Sequence, residues 1–211
     1  MNRKRQWEEF WETEVPRDFM RLEWQFDHPA RLKVYQMLKL VGGSILDVGC
    51  ATGIDYPHFK KMGMKYTGID ITRKFVDRFK ELHPEADVRL GTALSLPFPD
   101  KHFTVVYAAG VIQHLHPDDY PKGIQEMWRV CRKILILTTS KSFTKDNDII
   151  QMVRKGKVYD SRYSITGFKK IIAELPLYSS MKIFENIKHV KGEPVTIAII
   201  MKKENIGDVP S

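Results

Sequence analysis

The sequence predicts an α/β three-layer sandwich, a mostly parallel sheet with helices on both faces, and three observations carry that expectation. The run Ser44-Ile45-Leu46-Asp47-Val48-Gly49-Cys50-Ala51-Thr52-Gly53 is apolar, ends in an acid and opens into small residues, the pattern of a buried strand turning sharply into a helix. Residues 65–70 repeat the form, with Asp70 at the tip, 17 residues beyond Gly53. Strand-like and helix-like stretches then alternate as far as residue 139, as in a chain of parallel strands with crossover helices.

Taken in order, residues 3–14 have helical spacing, with Trp7, Phe10 and Trp11 on one face. Pro16 interrupts them, and a second helical stretch covers residues 17–26. Asp27 or His28 caps a third helix that has Pro29 in its first turn and Gly42-Gly43 at its end. These early aromatics either pack on the sheet or close over a ligand. After the first strand, a helix expected over residues 54–62 would turn its unpaired N–H groups toward whatever lies over the Gly49–Gly53 turn. Residues 87–93 form the third strand and 103–107 the fourth. A helix from about 117–119 to 132 buries Ile124, Met127, Trp128 and Cys131, and passes directly into a fifth strand over 133–139. Residues 140–164 combine Asn147-Asp148, an apolar helical turn at Ile149, Ile150, Met152 and Val153, and the basic Arg154, Lys155, Lys157 and Arg162. A helix over 164–175 ends at Pro176, and residues 181–190 and 195–203 close the chain as a β-hairpin.

Composition bounds the function. The 211 residues suit one sizeable core, so a single domain is expected over 1–211, with 1–43 as a helical cap, 44–139 as the ligand-binding core, and 140–211 as a substrate-side segment and closing hairpin. Two cysteines, Cys50 and Cys131, form neither a disulfide framework nor a metal set, and no metal is expected. No run is long enough to span a membrane, and the charged first ten residues are unlike a secretion signal, so a cytoplasmic protein without a membrane partner is expected. The net charge of +8 is mostly C-terminal: residues 141–211 carry 13 Lys and Arg against 8 Asp and Glu. With no dense basic run and no interleaved aromatic signature, nucleic acid is a less favoured partner than a small molecule.

A carboxylate at the tip of a second strand suits two ribose hydroxyls of a nucleoside. With that acid in place, the series 45–53, 66–70, Gly91–Asp100 with its Leu96-Pro97-Phe98 segment, and 103–115 resembles the class I S-adenosylmethionine-dependent methyltransferases, in particular the small, single-domain, methyltransferase type 11-like group. The resemblance covers about residues 44–139. It implies a Rossmann-like sheet of seven strands in the order 3-2-1-4-5-7-6 with the last strand antiparallel, and S-adenosyl-L-methionine as cofactor. It also implies cofactor-binding roles. Asp47, Gly49, Cys50, Ala51 and Gly53 would hold the methionine part, Asp70 the ribose, Ile71 the adenine face, Thr92 and Ala93 the adenine edge, and main chain near Ala108 would lie beside the methionine end. This chain departs from the family where Ala51 replaces a usual glycine, where Thr92 and Thr104 stand in place of frequent acids, and where the Leu-Lys-Pro-Gly-Gly turn before strand five is missing. Ala51 is small enough for the turn. A nicotinamide dehydrogenase fits less well, because the Leu-Pro-Phe segment matches methyltransferases better.

A sulfonium methyl is already electrophilic, so the protein must chiefly hold a nucleophile in line and exclude water. The acceptor belongs at the carboxyl end of strand four, where Val111-Ile112-Gln113-His114-Leu115 resembles the family's Val-Leu-x-His-Leu pattern. His114 is the candidate catalytic residue: a neutral imidazole can take the proton of a hydroxyl acceptor, or it can simply shape the pocket. Trp11, His28, His116, Arg154, Arg162 and Tyr163 are candidate substrate contacts, the arginines suiting a carboxylate or phosphate. The expected activity is methyl transfer to a small metabolite, an anionic one among the candidates. A nucleic-acid methyltransferase and a non-catalytic cofactor-binding partner protein stay open as alternatives.

Overall fold

The computed structural model describes Glu9 and residues 29–139, 143–145, 147–153, 158–189 and 192–203. Its elements run α1 (Pro29–Leu38), β1 (Ser44–Val48), α2 (Tyr56–Lys61), β2 (Lys65–Asp70), α3 (Arg73–Leu82), β3 (Asp87–Leu90), β4 (Phe103–Ala109), a 3-10 turn (Ile112–His114), α4 (Tyr120–Val130), β5 (Cys131–Thr139), β6 (Ile149–Val153), β7 (Val158–Arg162), α5 (Ile165–Ala173), β8 (Tyr178–His189) and β9 (Gly192–Lys202). Apart from Glu9, the two helices expected before residue 27 lie outside the described residues.

Seven strands form one sheet in the order β3-β2-β1-β4-β5-β9-β8, and β6 pairs with β7 in a separate hairpin. Counted within the sheet alone the order is 3-2-1-4-5-7-6. The pairs from β3 to β5 are parallel, and β9 runs antiparallel to both β5 and β8. The period of two along each strand divides the core. Leu46, Val106, Leu135 and Ile200 face one layer with Trp128 and Phe168, and Ile45, Val105, Ile136 and Ile197 face the other with Val34, Phe59 and Phe79. Both faces are therefore buried, as a parallel sheet requires. The chain turns outward in opposite directions from β1 and β4, and that switch point places a crevice over their carboxyl ends.

Several boundaries differ from expectation, for physical reasons. Cys131 belongs to β5 and not to the preceding helix: its backbone is extended (φ −78°, ψ 133°) because it pairs with Phe103. The junction without a glycine turn is closed from β9, where buried Lys202 donates from Nζ to the carbonyls of Trp128 (2.9 Å) and Cys131 (2.8 Å). The carboxyl end of the helix thus gains an ammonium group where its dipole favours a cation. Residues 149–153 form a strand and not a helical turn, since their apolar, largely β-branched run finds an antiparallel partner in residues 158–162. Helix α2 starts only at Tyr56, because Asp55 at its N-terminus is held by Arg31 and Tyr35 of α1.

Candidate functional site

The site is built on the turn after β1. Gly49 N–H donates to the Ile69 carbonyl at 2.7 Å and Cys50 N–H to the same oxygen at 3.2 Å, so the turn is stitched to the end of β2. Ala51 N–H then donates to Asp70 Oδ2 at 2.9 Å, and Thr72 N–H donates to Asp70 Oδ1 at 2.8 Å. Two glycines are required here. Gly49 has φ +72°, and a Cβ on it would lie 2.4 Å from Val111 Cγ2; Gly53 has φ +89°, and its Cβ would strike the Phe79 ring at 2.8 Å. Ala51 also has positive φ, +47°, so replacing the family's glycine strains the backbone although the methyl group itself fits.

This arrangement fits a nucleoside. Asp70 Oδ2 and Oδ1 are each fixed by a main-chain N–H, which holds the carboxylate at the tip of β2 in position to accept from a vicinal diol. Burial raises the Asp70 carboxyl above its ordinary range, while the N–H groups of Thr72 and Ala51 pull it back. Ile71 next to it is half-buried and offers an apolar face. Thr92 Oγ1 closes its own turn by accepting Leu94 N–H at 3.3 Å, and Ala93 is buried behind it. The methionine-end residues divide by depth. Gly49 and Ala51 are half-buried, whereas Asp47 lies beneath the turn at 1% exposure, accepting the Tyr66 hydroxyl at 2.9 Å. Burial, with the carboxylate of Asp55, raises the Asp47 carboxyl well above the usual range. Burial likewise raises the Cys50 thiol, which keeps it from acting as a nucleophile. Ala108 is fully buried in β4, and main-chain pairing continues past it through Gly110 N–H to the Thr138 carbonyl at 3.0 Å.

On the acceptor side, β4 runs into the 3-10 turn that carries His114, which is half-buried. His116 is turned to the start of α4, its Nδ1 accepting Asp118 N–H at 3.2 Å. Tyr163 is buried, with its hydroxyl donated to the Leu115 carbonyl and its ring stacked on Tyr120 at 3.8 Å. Arg162 is exposed at the end of β7. Trp11, His28 and Arg154 lie outside the described residues.

Sequence reasoning missed the cluster that ties α1 to the site. Arg31 and Tyr35, one helical turn apart, both donate to Asp55, just after the glycine turn. Close by, among the described residues, the buried Tyr107 hydroxyl meets no hydrogen-bond partner. The i, i+4 spacing of Arg31 and Tyr35 is visible in the sequence, but their common partner is 24 and 20 positions away. The Leu96-Pro97-Phe98 segment is similarly fixed from α4. Arg129 donates to the carbonyls of Leu96 (3.0 Å) and Phe98 (2.8 Å), and Leu96 N–H donates to Glu126 at 2.8 Å.

Residues 46–136 match the model of a family described as a methyltransferase domain. A probable S-adenosylmethionine-dependent methyltransferase of Mycolicibacterium smegmatis is 29% identical over 53% of this chain and 44% of its own length. A malonyl-[acyl-carrier protein] O-methyltransferase of Serratia marcescens is 26% identical over 43% of this chain and 35% of its own length. The chain thus matches less than half the length of each of these relatives. Among solved structures, magnesium protoporphyrin IX methyltransferase from Synechocystis PCC 6803 with bound SAM superposes with TM-score 0.74 at 14% identity, over 96% of this chain and 98% of that one. A Burkholderia thailandensis N1-methyltransferase with bound 1,6-didemethyltoxoflavin and S-adenosylhomocysteine gives TM-score 0.66 at 13% identity, over 84% and 80% of the two chains. These structures share the fold.

Proposed function

We propose that this chain is a class I S-adenosylmethionine-dependent methyltransferase and that it transfers a methyl group to a small-molecule acceptor by in-line displacement in the crevice over β1 and β4. The observation that carries the reading is the Asp70 carboxylate at the tip of β2, held beside the glycine turn by Ala51 and Thr72 N–H, where a nucleoside diol would meet it. The bound cofactor supplies the electrophilic sulfonium methyl. Everything else falls to the chain. Asp70 orients the ribose, Ile71 and the Thr92–Ala93 turn frame the adenine, and Gly49 and Ala51 bring main chain to the methionine end. Gly49 and Val111 are in contact, so the turn that orients the donor and the segment that carries His114 are packed directly on one another.

For a hydroxyl acceptor, the His114 imidazole takes the proton at the attacking oxygen; for a carboxylate acceptor, no proton need move and His114 shapes the pocket. Arg162 and Arg154 supply guanidinium groups for an anionic acceptor. A small acceptor is in keeping with the 1,6-didemethyltoxoflavin bound by the structural neighbour. The protein would work in the cytoplasm.

The test is transfer of label from S-adenosylmethionine carrying a tritiated methyl group into phenols, carboxylic acids and total RNA, offered separately. Label in a phenol or carboxylic acid supports the reading. Label in RNA alone, with steep salt dependence, replaces it with the nucleic-acid alternative favoured by the +8 charge.

A further inference from the structure

A three-residue 3-10 turn has poor hydrogen-bond geometry and little stability of its own, so the residue it presents depends on outside bracing. We propose that Tyr163 is a positioning residue for His114, acting through the main-chain carbonyl of Leu115. The inference rests on His114 lying at the acceptor, as set out above, and it assigns Tyr163 a role other than touching the substrate.

The geometry brings several elements onto Leu115. Its carbonyl accepts the Tyr163 hydroxyl and, at 3.4 Å, the Ser161 hydroxyl. Its N–H donates to the Ile112 carbonyl at 3.1 Å, closing the turn. Its Cδ1 lies 2.8 Å from where a Cβ on Gly123 would stand, so the side chain rests on a bare patch of α4. At the other end of the segment, Val111 rests on Gly49.

Tyr163 is itself rigidly held. Its ring stacks on Tyr120 at 3.8 Å with a 25° interplanar angle, and its carbonyl accepts Thr144 N–H at 2.8 Å. The next residue, Ser164, donates its N–H to Asp148 and caps α5 by accepting Gly167 N–H at 3.1 Å. The β6–β7 hairpin is thereby fastened at its base, and the hydroxyl of Tyr163 carries that anchorage to the Leu115–His116 peptide, one residue beyond His114. The hairpin thus braces the short segment that presents His114 through the Leu115 carbonyl.

Tyr163→Phe keeps the stacked ring and removes the donor. The readout is the rate at which diethyl pyrocarbonate modifies His114, mapped by mass spectrometry with exposed His102 as internal reference, alongside calorimetric titration with S-adenosylhomocysteine. Loss of one hydrogen bond at a braced turn is expected to raise the His114 rate relative to His102 about fivefold, and Ser161→Ala to raise it about twofold. Melting temperature and S-adenosylhomocysteine affinity should change little. A His114 rate at the wild-type value in Tyr163→Phe overturns the proposal, and if that variant does not fold, an unchanged rate in Ser161→Ala overturns it. Failure of wild-type protein to bind S-adenosylhomocysteine defeats the methyltransferase reading instead, and the two His114 rates still decide whether the brace exists.

Discussion

The turn after β1 and the turn after β4 sit side by side at the carboxyl edge of one sheet, yet they are built from different parts. The first is almost all main chain: Gly49 and Cys50 donate their N–H groups to the Ile69 carbonyl of β2, and Ala51 donates to the Asp70 carboxylate at its tip. The second is braced by side chains from distant elements, with Ser161 of β7 and Tyr163 just after it meeting Leu115, and Gly123 of α4 making room for it. A site that binds the same cofactor throughout a family can be written into the backbone, whereas a site for an individual acceptor needs parts that can change without breaking the sheet.

Substitutions can break or sharpen that contrast. The largest effect is expected from Asp70→Ala, which removes the diol acceptor and leaves the Ala51 and Thr72 N–H groups without their partner. The dissociation constant of S-adenosylhomocysteine, measured by calorimetry, should rise at least about 100-fold. His114→Asn, at the other turn, should leave that constant unchanged. If it weakened binding as much as the Asp70 change, the two turns would not be separate in function.

Next comes Gly49→Ala, with a left-handed φ and a methyl group driven into Val111. It should cost about 2 kcal/mol of stability, seen as a fall of roughly 5 °C in melting temperature. A smaller effect concerns pH. Burial raises the Asp70 carboxyl, so affinity for S-adenosylhomocysteine should begin to fall on acidification at a pH above that of an ordinary carboxylate, near 4. The sign for folding is opposite. A group with a raised folded pKa holds its proton more tightly in the folded state, so between the unfolded and folded pKa values this group's contribution to stability improves as pH falls. Titrations and melts across pH 4 to 7 would separate the two. Smallest is Ala51→Gly, which relieves the positive φ but adds freedom to the unfolded chain. A net gain of about 0.5 kcal/mol is expected in chemical denaturation.

The same contrast decides what was legible in the sequence. Strands β1, β2 and β4 announce themselves as short apolar runs, and the acid at residue 70 is an end marker that needs no knowledge of partners. The strand order came from the family resemblance, since periodicity carries alternation but not neighbours. Side-chain size alone makes Ala51 suit the turn, whereas its strain lies in φ. The run Ile149–Val153 was ambiguous because a few apolar residues suit a helical turn as well as a strand, and its partner begins only at Val158. Lys202 could not be connected to the end of α4 without the fold, being 71 positions from Cys131. The Arg31–Asp55–Tyr35 cluster and the Tyr163–Leu115 bond are hidden for the same reason: tertiary proximity leaves no local pattern.

The most direct test of the account is calorimetric titration of the wild-type chain with S-adenosylmethionine, S-adenosylhomocysteine and NAD. Saturable binding of both sulfur nucleosides, with none for NAD, is the predicted result. Absence of saturable binding for either sulfur nucleoside, from a chain that melts cooperatively, would contradict the assignment of the Gly49–Asp70 turn as a cofactor site.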